Sequence, residues 1–175
     1  MKNISKLTIL ELAQLVADNL SRKNIEAVLV GGACVSIYSK NNYQSYDLDF
    51  VTESSLKEVQ NALKEIGFSE KKGRIFSSPK TEYVIDFVAP PVSIGNEPIK
   101  EFFNLGKLKL LTPTDCVKDR LSAYYYWNDA QSLEQAVMVA EAQKKKVNIK
   151  ELERWSKAEN NTSKFQDFME KTDFK

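Results

Sequence analysis

The sequence predicts an α+β fold: a small mixed sheet flanked by helices over residues 1–111, followed by a C-terminal helical tail over residues 112–175 that packs on it. Three observations carry this expectation. Runs rich in β-branched and aromatic residues at 25–30, 47–52 and 83–88 have strand length and end at Gly, Ser or Pro punctuation. Helical periodicity with N-terminal caps lies between and around them. Beyond residue 111 only helical periodicity remains.

Thr8 and Glu11 form a capping box, and Leu12, Leu15, Val16 and Leu20 fall on one stripe, so a helix is expected over 8–20. Asn24 ends it, and an apolar strand runs from Ile25 to Val30 and into Gly31-Gly32. A short helix-compatible stretch, 33–38, and a polar loop, 39–44, lead to the second strand. Ser55 and Glu58 repeat the capping box, with Leu56, Val59, Leu63 and Ile66 at helical spacing and Gly67 as the stop. Around the turn at Gly73, residues 74–76 and 82–88 read as the arms of a hairpin that Pro90-Pro91 terminates. A short strand, 108–111, follows the turn at Gly106. Thr112-Pro113 and Asp115 open a helix to about Trp127. Asn128-Asp129 breaks that helix and caps another over 130–145. Asn148 opens a third, marked by Leu152 and Trp155, and a last short helix carries Phe165, Phe168 and Met169.

Composition excludes several chemistries. The 175 residues contain no histidine, which removes His-dependent triads, His-liganded zinc and imidazole acid–base catalysis. Cys34 and Cys116 are too few and too far apart for a zinc cluster or a disulfide framework, and read as buried thiols in a reducing compartment. A formal net charge of +1 provides no global attraction for polyanions. The N-terminus lacks the apolar core of a signal peptide and no apolar run reaches bilayer length, so the expected location is cytoplasmic, with no membrane partner.

Three acids interrupt the apolar strands: Asp47, Asp49 and Asp86. Strand alternation puts Asp47 and Asp49 on one face, with Leu48 and Phe50 on the other. A carboxylate in a buried strand costs several kcal/mol unless it is paired or ligates a metal. No basic residue stands nearby in sequence, which points to a hard divalent cation, Mg²⁺ above all. Gly31-Gly32 has no side chains to hold a phosphate off the backbone and leads into a helix N-terminus. The Ser45 hydroxyl is placed to reach another phosphate oxygen. Acids for a metal beside a phosphate cradle describe a nucleoside triphosphate (NTP) site.

Each signal has a plainer reading. Asp-x-Asp alone arises by chance at turns, although Gly31-Gly32 and Ser45 at this spacing favour function. Asp86 can be a strand-edge acid facing water, and Lys118 lies on a helix so rich in charge that a solvated face explains it equally well. Asp129 is first a helix cap. Tyr124, Tyr125, Tyr126 and Trp127 point all round a helix, so packing is expected of most of them over stacking on a base. Lys144, Lys145 and Lys146 complement a helix dipole.

Gly31-Gly32, twelve residues and then Ser45-Tyr46-Asp47-Leu48-Asp49, with Asp86 on a later strand, resembles the signature of the DNA polymerase β-like nucleotidyltransferase superfamily, over about residues 25–88. Within it the chain is similar to small bacterial enzymes related to AbiEii-type abortive-infection toxins, which carry a lysine and then an acid in helices after the sheet, as Lys118 and Asp129 do here. The resemblance implies a nucleotidyltransferase fold and an Mg-dependent enzyme. It would use two Mg²⁺ ions on Asp47, Asp49 and Asp86, with Gly31, Gly32, Ser45 and Lys118 toward the triphosphate. It further implies an NTP substrate, an acceptor that is RNA such as tRNA, a protein side chain or an aminoglycoside-type small molecule, and an antitoxin partner if the toxin role holds. Two rivals stand beside it. A sugar-nucleotide glycosyltransferase also uses Asp-x-Asp with a metal but does not need the upstream Gly-Gly. An inactive adaptor of the same fold is disfavoured by the presence of all three acids.

Overall fold

The computed structural model describes residues 4–174. Helix α1 (Ile9–Arg22) starts at the Thr8–Glu11 capping box, in which both reciprocal bonds are made. Strand β1 (Val28–Val30), helix α2 (Gly32–Tyr38), strand β2 (Asp47–Val51) and helix α3 (Leu56–Lys64) follow, the last opened by the Ser55–Glu58 capping box. Strands β3 (Ser69–Lys72), β4 (Ile75–Ser77) and β5 (Val84–Val88) come next. A small hairpin, β6 (Ser93–Ile94) with β7 (Glu97–Pro98), precedes β8 (Phe102–Leu105) and β9 (Leu108–Leu111). Four helices complete the chain: α4 (Pro113–Trp127), α5 (Ala130–Ala142), α6 (Ile149–Ala158) and α7 (Thr162–Glu170).

The expected α+β class is observed. One seven-stranded mixed sheet runs β3-β4-β5-β2-β1-β9-β8. β2 lies inside it, parallel to β5 and antiparallel to β1, so the acid-bearing strands are neighbours. Leu48, Phe50, Ile85 and Phe87 are buried, and Phe50 stacks on Phe87 at 5.8 Å across the parallel pair. This apolar face is continuous with Leu12 and Val16 of α1 and with Leu121, Trp155 and Phe168 of the C-terminal helices. The helical segment is also tied to α2 by polar bonds: the Tyr38 hydroxyl donates to the Leu111 carbonyl at 2.6 Å, and the Gln143 amide donates to the Tyr38 carbonyl at 2.9 Å. Among the described residues no helix is long and apolar enough to cross a membrane.

Several elements differ from expectation for local reasons. The first strand has three residues, because Asn24 turns the chain at φ 56° and the Ile25 N–H donates to the Leu20 carbonyl, finishing α1 instead of joining the ladder. Ile25 is buried all the same. The edge strands β3 and β8 are additional to the expected ones: every residue of β3 is exposed, and it is held by pairing with β4, while β8 pairs with β9. Helix α5 stops at Ala142, before the lysine run, in a turn where the Lys146 N–H donates to the Gln143 carbonyl at 2.7 Å.

Candidate active site

Register brings the strand acids together. Asp49 is paired with Asp86 on the parallel neighbour β5 and with Val30 on β1, and Asp47 is paired with Val84. Neighbouring strands lie about 4.8 Å apart and residues two apart on one strand about 6.6 Å, so the three acids share a small area of one face. Asp47 is exposed, and Asp49 and Asp86 are half-buried. None of the three is in an ion pair among the described residues.

The glycine pair closes one side of this area. Val30 delivers the chain to Gly31, whose φ of +70° is one that L side chains rarely adopt. A Cβ there would stand 2.5 Å from Asp49 Oδ2, inside contact distance, so glycine is required both by its backbone and by the carboxylate beside it. A Cβ on Gly32 would stand 3.2 Å from Ser45 Oγ. Ser45 is buried and its hydroxyl is engaged locally: it donates to the Asp47 carbonyl at 3.0 Å and accepts from the Asp47 N–H at 3.2 Å. Its own N–H donates to Ser36 Oγ of α2 at 2.8 Å. Ser45 thus ties the backbone of Asp47 to α2. Helix α2 has only seven residues, so its dipole adds little, and what Gly31-Gly32 offers an anion is bare backbone.

Electrostatics make the carboxylate face costly without a cation. Burial, then Asp47, then Asp86, push the Asp49 carboxyl up to about 6, with Asp119 adding to the rise and Arg120 opposing it. The side chains as they stand do not converge three to a point: no group of three or more His, Cys, Asp or Glu among the described residues is gathered to hold a metal ion. The chemistry of the donor set nevertheless suits a hard divalent cation, since three oxygen-ligand acids share one face, repel one another and lack a paired base. Asp47, Asp49 and Asp86 are the residues that would hold it.

Lys118 is not joined to this group. Its ammonium donates to Glu151 at 2.7 Å and lies 3.5 Å from Asp115, and it is buried against them. Arg154 extends the cluster, bonding both Glu151 and Glu97. The cation of α4 whose charge is felt at Asp49 is Arg120, two residues on and about 200° round the helix. Arg120 is held by Asp119 and by Gln135 of α5, at 3.3 Å from the latter's Oε1. One cue in the sequence marks it: Arg120 lies a turn beyond Cys116, and an apolar residue there shows which side of α4 faces inward.

The other candidates resolve into structure. Asp129 caps α5, accepting from the Gln131 N–H at 3.0 Å and from Ser132 Oγ at 2.6 Å, which holds its carboxyl below the usual range. Tyr125 stacks on Trp155 at 5.4 Å and its hydroxyl meets Ser156, Tyr124 donates to Asp167, and Tyr126 donates to Glu159. Trp127 alone of the run is largely free, 81% exposed. No family model, curated protein or solved structure matches this chain.

Proposed function

We propose that the protein is a metal-dependent nucleotidyltransferase that moves a nucleoside monophosphate from an NTP to an acceptor hydroxyl and releases pyrophosphate. The observation that carries this is the pairing of Asp49 with Asp86 beside Gly31, where a Cβ would overlap the Asp49 carboxylate. Glycine adopts this positive φ freely and leaves the Asp49 carboxylate room that a side chain would take, while the acids set beside it repel one another unless a cation lies between them.

The residues divide the work by position. Asp86, on the outer strand of the pair, takes the proton of the acceptor hydroxyl as its oxygen attacks the α-phosphorus. The bond from that phosphorus to the bridging β-phosphate oxygen breaks, and the electron pair leaves with pyrophosphate. Mg²⁺ on Asp47, Asp49 and Asp86 would stabilise charge on the entering and leaving oxygens. Gly31 and Gly32 leave the backbone open to the triphosphate, Ser45 fixes Asp47, and Arg120 offsets negative charge from α4.

Incubation with each α-labelled NTP, Mg²⁺, total RNA and cell lysate tests the reading. Label should pass to an acceptor with the wild type and fail to pass with Asp47→Ala or Asp86→Ala, both still unfolding in one cooperative transition. Transfer by those variants at the wild-type rate sinks the assignment.

A further inference from the structure

The two outer strands of the large sheet are built differently. β3, at one end, carries the usual guards against pairing with another chain: every residue is exposed, Glu70, Lys71 and Lys72 lie along it, and its register with β4 shifts between Glu70 and Lys72 as at a bulge. β8, at the other end, carries no such guard. Its residues are Phe102, Phe103, Asn104 and Leu105, with the three apolar side chains half-buried and neither charge nor proline among them. An outer strand of this kind offers its N–H and C=O groups to any strand that meets it.

The turn after β8 sets which groups face outward. Leu105 and Leu108 flank Gly106-Lys107, and Gly106 has a φ of 64°, the left-handed first position of a type II′ hairpin turn. The pair that closes such a turn exchanges both backbone bonds, and bonded pairs alternate along the ladder from there. Leu105 and Phe103 therefore direct their backbone groups to β9, and Asn104 and Phe102 turn theirs to the outer edge. Charges stand just outside the strand. Glu101 precedes it and Lys107 lies in the turn, both exposed and neither in an ion pair among the described residues.

We propose that β8 is the interface of a homodimer, in which two copies of this chain pair their β8 strands antiparallel about a two-fold axis at Asn104. In that register Asn104 meets Asn104 of the second copy with both backbone bonds made, since both residues turn their groups outward. Phe103 stands opposite Leu105 of the second copy, and Glu101 stands opposite Lys107, each pairing occurring twice. Apolar against apolar and acid against base are the cross-strand pairs that stabilise a sheet. Moving the axis to Phe103 sets Glu101 against Leu105 and loses both charge pairs. The strand is thus complementary to itself in one register, which is what selects a second copy over a different partner. Leu7, Leu15 and Leu105 also line a cavity of about 380 Å³ between α1 and the turn, so half-buried apolar surface continues beyond the strand. The guarded β3 edge closes the assembly at two copies, and the two seven-stranded sheets become one. The proposal is independent of the chemistry assigned to the acids.

Sedimentation equilibrium of the full chain tests it. The wild type should associate reversibly from one copy of 19.9 kDa to two, with no larger species. Asn104→Pro removes an outward N–H and spares the ladder with β9, and should be monomeric at concentrations where the wild type is dimeric. Glu101→Lys or Lys107→Glu alone sets like charges opposite one another at two places and should raise the dimer Kd at least about tenfold. The double swap, and equally a mixture of the two single variants, brings opposite charges together again and should restore wild-type association. That reciprocal rescue reads the register, and each charge variant should still unfold in one cooperative transition. A wild type that stays monomeric up to hundreds of micromolar leaves the edge to another chain and overturns the proposal. So do a dimer that persists in Asn104→Pro and charge swaps that have no effect or are not rescued.

Discussion

Replacing Asp49 with Asn should stabilise the fold while abolishing activity. The Asp49 carboxyl rises from an ordinary 3.8 to about 6, chiefly through burial and then through Asp47 and Asp86. A group that holds its proton more tightly folded than unfolded draws stability away as pH rises between those two values. Below about pH 4 both states are protonated and the carboxyl costs nothing. Above about pH 6 the folded state carries the full penalty. Roughly 2 units at 1.36 kcal/mol each amounts to at most about 3 kcal/mol. Asn has the shape of the neutral carboxyl and removes that penalty. In urea denaturation with chelator present, Asp49→Asn should match wild type at pH 4 and exceed it by up to about 3 kcal/mol at pH 8, or roughly 6–12 °C in melting temperature. Adding Mg²⁺ should raise the wild type toward the variant and leave the variant unmoved. A variant no more stable than wild type at pH 8, or a gain of equal size at every pH, refutes the reasoning.

Other expectations follow from single contacts. Gly31→Ala forces a left-handed residue and a 2.5 Å approach to Asp49 Oδ2, so it should cost about 1–3 kcal/mol by denaturation and remove NTP binding. Lys118→Met takes the cation from between Glu151 and Asp115 and should cost about 1.5–3 kcal/mol, with Mg·NTP affinity unchanged; a loss of that affinity would return Lys118 to the site. Arg154 first, then Lys118, hold the Glu151 carboxyl down at about 2 against an ordinary 4.5. Its contribution to stability is therefore present above about pH 4.5 and is lost as pH falls toward 2, and Glu151→Gln should flatten the wild-type acid limb in that window.

What the sequence disclosed follows how local each interaction is. Both capping boxes are contacts three residues apart, and each forms as read. The parity of Asp47 and Asp49 follows from strand alternation alone. Their register with Asp86 depends on β5 lying parallel beside β2, a long-range choice that no local pattern encodes. The edge strand β3 is not legible locally because an exposed Ser-Glu-Lys-Lys run forms a strand only when a partner supplies the ladder. Lys118 and Arg120 show the same limit on a helix. Their spacing says that they face apart, but only packing shows that Arg120 is held by Asp119 and Gln135 while Lys118 is held by Glu151.

The account stands on Asp47, Asp49 and Asp86 acting with Gly31 as one site for a metal-bound triphosphate. Calorimetric titration of NTP into the wild type and into Asp86→Asn, each with and without Mg²⁺, tests that most directly. Heat of binding is predicted for the wild type with Mg²⁺ alone, and for no other combination. Equal NTP binding by both proteins, or binding that ignores Mg²⁺, contradicts it.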